Sequence, residues 1–387
     1  MKNFDYSIPT KVHFGKGQIS KLRKEIKNFG SNVLLVYGGN SIKRNGIYDQ
    51  VMKQLCDDEI NVFELSKIDP NPRITSARKG AELCKSKKID VILAVGGGSV
   101  IDCSKLIAAS AFYKGDPWEL VLDSSKITKA LPIISVLTLS ATGSEMDAFA
   151  VISNMETNEK LGMGNELLKP KVSILDPEYT YTVPAIQTAA GTADIMSHIF
   201  ETYFHNEKGA YLQDRFAESL LKTCIKYGEI ALKEPNNYEA RANLMWASSH
   251  AINGLISYGT DGGWSVHPME HELSAYYDIT HGVGLAILTP NWMEYVLNEK
   301  TVDKFAEYGI NVWGIDSSKD KFEIAKEAIK ATRGYFEKLE IPMSLKEVGV
   351  DDKNLEIMAE LASKRGAKYG YMPLEKEDVL NIYKMSM

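Results

Sequence analysis

The chain has 387 residues and a formal net charge of −6 at pH 7. Hydrophobic residues make up 44% of the sequence and charged residues 25%. This length exceeds what one hydrophobic core usually serves, so we expect two domains. There is no Lys/Arg block, no long apolar run and no apolar signal-peptide core, which argues against nucleic-acid, membrane and secreted classes. The four cysteines match no zinc-finger spacing and suit a reducing cytoplasm, which is the predicted location.

The first half of the chain alternates short apolar runs with helical stretches. In chain order, the pattern predicts a strand in 32–41 ending in a glycine turn, a helix over 41–58, a strand over 61–65, a helix over 74–88, a strand in 90–99 with a second glycine turn, a helix over 100–113, and a strand in 133–145 that runs into a Ser/Thr/Gly loop. This order predicts a Rossmann-like parallel sheet with helices on both faces.

After Pro184 the strand pattern stops and apolar residues recur at helical spacing. The predicted helical segments are 185–205, 210–233, 236–257, 267–277, 282–298 and 318–338. We therefore predict an α/β dinucleotide-binding domain over 1–184 and an all-helical metal-binding domain over 185–387. The crevice between two such domains is the default place for a ligand.

Two loops at strand ends favour a nucleotide. "VGGGSVID" (95–102) follows one predicted strand and opens a helix, where glycines allow close approach of a phosphate to free N–H groups. It lacks the third glycine of the GxGxxG fingerprint, and a simple tight turn is the alternative. "SATGSE" (140–145) supplies hydroxyl side chains at another strand end. Parallel sheets bind ligands beyond the carboxyl ends of their strands, so together the loops indicate nucleotide phosphates.

Three of the seven histidines lie within "HPMEHELSAYYDITHG" (267–282). Ligands at i and i+4 share one face of a helix, and this spacing occurs twice, in Asp194/His198 and in His267/His271. Imidazole and carboxylate suit divalent transition metals. The candidate ligands are Asp194, His198, His267 and His281. One carboxylate and three neutral imidazoles would leave a divalent ion at about +1, which can stabilise an alkoxide. The alternatives are a hydrogen-bonded core histidine at 198 and a solvated face at 267 and 271.

The same stretches carry a family resemblance that covers the whole chain. "VGGGSVIDCSK", "LTLSATGSEMDAFAVISN", "GTADIMSHIFE" and "HPMEHELSAYYDITHGVGLAILTP" are long, dense and in the same order as in the family. The sequence resembles the iron-dependent (group III) alcohol dehydrogenases, and within them the clostridial-type NAD(P)H-dependent butanol dehydrogenases. The resemblance implies an α/β dinucleotide-binding domain followed by an all-helical metal domain. It also implies a homodimer that reduces short-chain aldehydes such as butanal or oxidises the alcohols.

Carried over position by position, the resemblance assigns roles to individual residues. It places the metal ligands on Asp194, His198, His267 and His281, and an additional active-site histidine, the candidate proton relay, on His271. The expected ion is Fe²⁺, with Zn²⁺ as the alternative. The implied cofactor-binding residues are Gly38, Gly39, Asn40, Ser41, Asn71, Gly96, Gly97, Gly98, Ser99, Asp102, Thr138, Leu139, Thr142, Ser144 and Lys160.

The turn after the first predicted strand bears on the choice of cofactor. An acid on the adenosine ribose bonds the 2′-hydroxyl and repels a 2′-phosphate. The family's position for that acid falls on Gly39, and no carboxylate occurs from Val36 to Arg44. We therefore predict NADP(H), with NAD(H) as the alternative. A dehydroquinate-synthase-like enzyme on the same scaffold is the alternative function, but segment 258–281 lacks the Lys/Arg cluster that a polyanionic substrate would need.

Overall fold

The computed structural model of the chain describes residues 1–56 and 59–387. Asp57 and Asp58, where the helix predicted over 41–58 would end, lie outside the described residues. The described residues form two units. One unit is residues 7–183 with 236–249, and the other is residues 1–6, 184–235 and 250–387. The predicted boundary after 184 lies one residue from the division between 183 and 184, but segments 1–6 and 236–249 belong to the opposite units from those predicted.

The strands of the first unit are β1 (Lys11–Phe14), β2 (Asn32–Tyr37), β3 (Asn61–Leu65), β4 (Val91–Gly96), β5 (Ile133–Leu137), β6 (Phe149–Asn154), β7 (Glu159–Gly164) and β8 (Val172–Leu175). Six of them form an all-parallel sheet in the order β1-β8-β5-β4-β2-β3. A separate antiparallel hairpin pairs β6 with β7. The predicted parallel α/β fold is confirmed, although β1, β8 and the hairpin were not predicted.

The central strands of the sheet are largely apolar, as expected for a parallel sheet that is covered on both faces. Alternate residues of β2 separate the two sides: Val33 and Leu35 pack with one helical layer, and Leu34 and Val36 with the other. The helices of this unit are α1 (Leu22–Lys27), α2 (Ser41–Arg44), α3 (Ile47–Leu55), α4 (Ile74–Lys87), α5 (Gly98–Ser110) and α6 (Trp118–Leu122).

The helix predicted over 41–58 is wrong as a single element. The chain forms α2 and α3 with a break at Asn45–Gly46, and Gly46 has a left-handed φ of 75°. A residue with a side chain adopts this conformation rarely, whereas glycine does so without steric cost. The Asn-Gly pair therefore separates two short helices where the apolar pattern had suggested one.

Segment 236–249 belongs to the α/β unit because its side chains bond and pack there. It forms most of α9 (Tyr238–Ile252), and its Met245 is buried in the same core as α4 and α5. Trp246 meets Phe14 of β1 edge to face at 5.5 Å between ring centroids. The hydroxyl of Ser248 donates to the carbonyl of Ala141, 3.1 Å away, in the loop after β5.

The second unit is all helical, as predicted. Its remaining helices are α7 (Ala185–Tyr203), α8 (Tyr211–Lys233), α10 (Val266–Tyr277), α11 (His281–Val296), α12 (Val302–Trp313), α13 (Lys321–Lys338), α14 (Leu355–Arg365) and α15 (Lys376–Met385). Helices α7, α8, α10 and α11 pack together, and of the candidate metal ligands they bury Asp194, His198 and His267, while His281 is partly exposed. Among residues 1–56 and 59–387, none of the helices combines the length and apolar character that crossing a membrane requires.

Candidate active site

Helix α7 presents three acidic or imidazole side chains on one buried face. Asp194, His198 and Glu201 follow each other at spacings of four and three residues and are 3%, 5% and 4% exposed. Residues at these spacings lie one above the other on a helix. The i, i+4 pair was predicted, whereas Glu201 continues the same face and was not considered.

Three imidazoles surround one carboxylate oxygen. Oδ1 of Asp194 lies 3.6 Å from Nδ1 of His198, 3.9 Å from Nε2 of His267 and 3.7 Å from Nε2 of His281. These separations are too long for hydrogen bonds. The rings of His198 and His267 stack with centroids 4.6 Å apart. The structure therefore brings together all four predicted ligands from helices α7, α10 and α11.

Three of these ligand atoms are buried without a hydrogen-bond partner in the described part of the chain. They are Asp194 Oδ1, His198 Nδ1 and His267 Nε2. Buried polar atoms are normally paired, so a cluster of orphaned atoms needs a group that satisfies them. Imidazole nitrogen with a carboxylate oxygen is a donor set for a divalent transition metal. The residues present fit a bound divalent cation.

Glu201 holds His267 and the start of α10 together. Its Oε1 accepts from the backbone N–H groups of Val266 and His267, both at 2.8 Å, and Oε2 accepts from that of Ser265 at 2.7 Å. Nδ1 of His267 lies 3.2 Å from Oε1, so the ring donates there and turns Nε2 toward Asp194. A carboxylate at a helix N-terminus is favoured by the free N–H groups and the helix dipole.

Glu270 orients His281 as Glu201 orients His267. It is fully buried, and its Oε2 accepts a hydrogen bond from Nδ1 of His281, which leaves Nε2 facing Asp194. Its Oε1 accepts from the hydroxyl of Ser274. Gly282 permits the close packing of α11 on α7, because a Cβ there would lie 2.0 Å from the carbonyl oxygen of Ala190.

Sequence reasoning missed both glutamates, and they change the charge of the site. Carboxylates that accept from the second nitrogen of a ligating histidine fix its tautomer and raise its basicity. The predicted net charge of about +1 for a divalent ion with its four ligands did not include Glu201 and Glu270. Their carboxylates add negative charge next to His267 and His281. Glu201 could have been found by extending the Asp194/His198 face by one more turn.

His271 is one turn beyond His267 on α10. Its ring centroid lies 6.3 Å from that of His267 and 5.7 Å from that of His281, and the residue is partly exposed. Candidate ligand atoms of Glu270, His271 and His281 also lie within 4.8 Å of one another. His271 is therefore beside the cluster around Asp194, as the proton-relay interpretation requires, and close enough to His281 that its role needs a direct test.

Burial and charge set the protonation of the cluster when no cation is bound. Burial lowers the pKa of His198 to about 3, so this imidazole is neutral. Burial raises the pKa of Asp194, but the surrounding imidazoles outweigh it and hold the pKa at about 2. Burial lowers the pKa of His267, but the carboxylates of Asp194 and Glu201 raise it to about 9. A cation would displace that proton, which makes its binding pH-dependent.

The predicted cofactor loops lie at the carboxyl edge of the sheet. Gly96 at the end of β4 pairs with Leu137 at the end of β5, and the N–H of Thr138 donates to the carbonyl of Gly96. The carbonyl of Gly38 after β2 accepts from the N–H of Lys67 at 2.8 Å. Strands β5, β4, β2 and β3 are parallel neighbours in the sheet, so the turns that follow them lie at one edge, where parallel sheets bind ligands.

The glycine turn and the loop after β5 touch. A Cβ at Gly98 would lie 2.2 Å from Oγ1 of Thr142, and a Cβ at Gly97 would lie 3.2 Å from Cβ of Leu139. Glycine at 98 therefore permits the contact between the two loops. The hydroxyl of Ser99 donates to the carbonyl of Pro70, which brings segment 70–72 to the same place.

The other predicted cofactor residues differ in exposure. Gly39, Asn40 and Ser41 are exposed, whereas Asn71 and Lys160 are 8% and 4% exposed. Lys160 pairs across the hairpin with Ser153, whose N–H donates to the carbonyl of Pro72.

The side chains of Asp102 and Ser144 point at each other, 2.6 Å apart, and are 8% and 1% exposed. These two predicted cofactor residues are therefore buried and bonded to each other.

Comparison with known families identifies the chain. The family "Iron-containing alcohol dehydrogenase" matches residues 9–177, and "Fe-containing alcohol dehydrogenase family, C-terminal" matches residues 188–387. The chain belongs to the iron-containing alcohol dehydrogenases. The predicted family resemblance is thus confirmed.

Relatives of this iron-containing alcohol dehydrogenase match over nearly their whole length. It is 64% identical to NADH-dependent butanol dehydrogenase A of Clostridium acetobutylicum, with 100% of both chains covered. It is 41% identical to the NADPH-dependent aldehyde reductase YqhD of Escherichia coli, over 95% of this chain and 94% of the relative. The crystal structure of NADH-dependent butanol dehydrogenase A from Thermotoga maritima superimposes with a TM-score of 0.95 at 40% identity, covering 100% and 99% of the two chains.

Proposed function

We propose that the protein is a metal-dependent, NAD(P)H-linked alcohol dehydrogenase or aldehyde reductase that acts on short-chain primary alcohols and aldehydes such as butanol and butanal. The observation that carries the proposal is the buried oxygen of Asp194 with three imidazole nitrogens 3.6–3.9 Å away. The sequence is similar over nearly its whole length to enzymes named for butanol and aldehydes, and this similarity supports the substrate class. Nothing in the described residues favours the dehydroquinate-synthase-like alternative.

Each side chain has a defined task in this proposal. Asp194, His198, His267 and His281 would hold the divalent cation, Fe²⁺ by the family and Zn²⁺ as the alternative. A bound cation would supply Lewis-acid polarisation of the substrate oxygen, and the nicotinamide would supply the hydride. Glu201 and Glu270 orient two of the imidazoles. His271 is partly exposed and can carry a proton between solvent and the substrate oxygen, since imidazole titrates near neutral pH.

We propose that the cofactor binds on the loops at the carboxyl edge of the sheet. The contact residues would be Gly38–Ser41, Gly96–Ser99, Thr138, Leu139 and Thr142, with Asn71 and Lys160 beside them. Named relatives include both NADH- and NADPH-dependent enzymes. Gly39 carries no carboxylate to repel a 2′-phosphate, so we expect the protein to accept NADPH as well as NADH.

We also propose a cytoplasmic homodimer. All four cysteines, Cys56, Cys84, Cys103 and Cys224, are free thiols, as suits a reducing compartment. Within the described residues, β1 and β3 each pair on one side only, and such open edges can pair with another chain. Light scattering on the purified protein measures the mass in solution, and a monomer mass would contradict the dimer.

The activity test is direct. Protein loaded anaerobically with Fe²⁺ is mixed with butanal and either NADH or NADPH, and loss of the reduced nicotinamide absorbance is followed. The proposal predicts aldehyde-dependent oxidation of at least one cofactor and formation of butanol. If neither cofactor is oxidised with butanal or related short aldehydes, the proposed function is wrong.

A further inference from the structure

Lys105 on α5 is fully buried, with 0% of its side chain exposed. Lysine is almost never buried in this way unless it is paired. Its Nζ donates to Oδ1 of Asp147 at 2.6 Å, to Oγ of Ser144 at 2.8 Å and to the carbonyl oxygen of Phe149 at 2.6 Å. An ammonium group has three N–H donors, so each of them has an acceptor.

The acceptors connect Lys105 to the segment that follows β5. Ser144 accepts from Lys105 and donates to Oδ1 of Asp102, 2.6 Å away on α5. Oδ2 of Asp102 accepts from the N–H of Val151 on β6 at 2.9 Å. This closed network ties helix α5, the loop over 138–148 and the start of β6 to one another.

The other side of the same loop is held by hydroxyl groups. Ser249 on α9 donates to Oε1 of Glu145 at 2.5 Å, and Ser173 on β8 donates to the carbonyl of Glu145 at 2.6 Å. The loop is therefore fixed from two directions, but only the Lys105 side connects it to the helix that the glycine turn opens.

We propose that Lys105 is a positioning residue for the dinucleotide: it fixes the loop over 138–148 against α5, and so sets the spacing of the two loops that bind the cofactor. The inference rests on the proposed function. Replacing a buried ion pair by apolar groups is often neutral or stabilising, so stability alone does not explain a buried lysine with two aspartates. The glycine turn at the head of α5 meets Thr142 of the loop within contact distance, so a shift at Lys105 moves the cofactor surface itself.

The test is the dissociation constant for NADPH of the Lys105→Met variant, measured by fluorescence titration of the full-length protein. Methionine has a similar length but no donors, so α5 loses its bonds to Ser144 and Asp147 of the loop and to Phe149 of β6. We expect the dissociation constant to rise roughly ten- to hundred-fold, the size of effect that follows from misplacing binding groups by about 1 Å. Affinity for Fe²⁺, measured by competition with a chelator, should not change, because the proposed ligands belong to the other unit.

Lys169→Met is the matched control. Lys169 is 4% exposed in the same unit, pairs with Glu166 at 2.8 Å and donates to the carbonyl of Ser7. It makes no hydrogen bond to α5 in the described residues, so its loss should lower the melting temperature and leave the NADPH dissociation constant unchanged. A merely structural lysine at 105 would behave like this control.

A milder variant covers the case in which Lys105→Met does not fold. Ser144→Ala removes the link between Lys105 and Asp102 without stranding a charge, and we expect the NADPH dissociation constant to rise roughly tenfold. Unchanged NADPH affinity in folded Lys105→Met, or in Ser144→Ala, overturns the positioning role of Lys105 and leaves the proposed function standing. A wild type that binds neither NADPH nor NADH overturns the proposed function and this inference with it.

Discussion

Glu270 accepts a hydrogen bond from Nδ1 of His281 and thereby decides which nitrogen of that ring faces Asp194. Glu201 has the same relationship with His267. Two of the four proposed ligands are thus oriented by carboxylates that lie outside the ligand set. The proposed metal site therefore comprises six side chains rather than four, and the outer two can be tested without changing a proposed ligand.

Glu270→Gln should weaken metal binding while keeping the fold. Glutamine keeps an acceptor oxygen for His281 but removes the negative charge that makes the imidazole more basic. We expect a roughly ten- to hundred-fold loss in Fe²⁺ affinity, as for other groups that orient metal ligands. Chelator competition measures this loss. Glu272→Gln on the same helix is the control, since Glu272 is 1% exposed and bonds Arg365 at 2.7 Å. Equal losses in both variants would contradict the role of Glu270.

His271→Ala should retain the metal and lose turnover. The expected fall in kcat is roughly a hundred- to ten-thousand-fold, the usual contribution of a general acid–base group. Exogenous imidazole should restore part of the rate. Metal content by elemental analysis separates the two possible roles, because a variant that loses its metal would show that His271 is a ligand.

Gly39→Asp should shift cofactor preference toward NADH. A Cβ at position 39 meets no atom within 4 Å, so there is room for a side chain to begin there. The new carboxylate would repel a 2′-phosphate, and we expect the ratio of kcat/KM for NADPH over NADH to fall at least roughly tenfold. Lys43 lies 4.5 Å over the ring of Tyr48, so its charge is already engaged by an aromatic face. An unchanged ratio would show that this turn is not the ribose site.

Glu145→Gln should remove a pH-dependent loss of stability. Burial raises the pKa of Glu145 to about 7 from the ordinary value of 4.5, so the folded protein holds a proton that the unfolded chain releases. The contribution of Glu145 to the free energy of unfolding therefore falls by an amount on the order of 3 kcal/mol as the pH rises from 4.5 to 7. Above pH 7 it changes no further. The melting temperature of the variant, relative to wild type, should rise across this interval. A difference that is constant from pH 5 to pH 8 would contradict the shift.

The proposed metal ligands could be predicted because helical spacing places ligands on one face. Asp194 and His198 show the i, i+4 interval in the sequence, as do His267 and His271, and the family resemblance gave the same four ligands, His281 among them. Glu201 continues the helix face of Asp194 and His198, but its bond to His267 depends on the packing of α7 against α10. Glu270 looks like an ordinary charged helix residue, and its bond to His281 depends on the packing of α10 against α11. The local sequence does not indicate which carboxylate will accept a hydrogen bond from which imidazole ring.

The fold was predictable where elements are long and periodic. The four-residue strands β1 and β8 were missed, because each is short and they pair with each other across about 160 residues of chain rather than through a local pattern. Asn45–Gly46 was a visible turn signal that the apolar periodicity of 41–58 obscured. The inclusion of 236–249 in the α/β unit depends on contacts such as Trp246 with Phe14.

The most direct test of the account is an anaerobic Fe²⁺ titration of metal-depleted wild type and Asp194→Ala, with NADPH-linked reduction of butanal measured at each step. The account predicts that wild-type activity rises in proportion to bound metal and saturates at one ion per chain. Asp194→Ala should retain neither metal nor activity, because it removes the carboxylate that all three imidazoles face. Full turnover by metal-depleted wild type, or stoichiometric metal and full rate in Asp194→Ala, would contradict it.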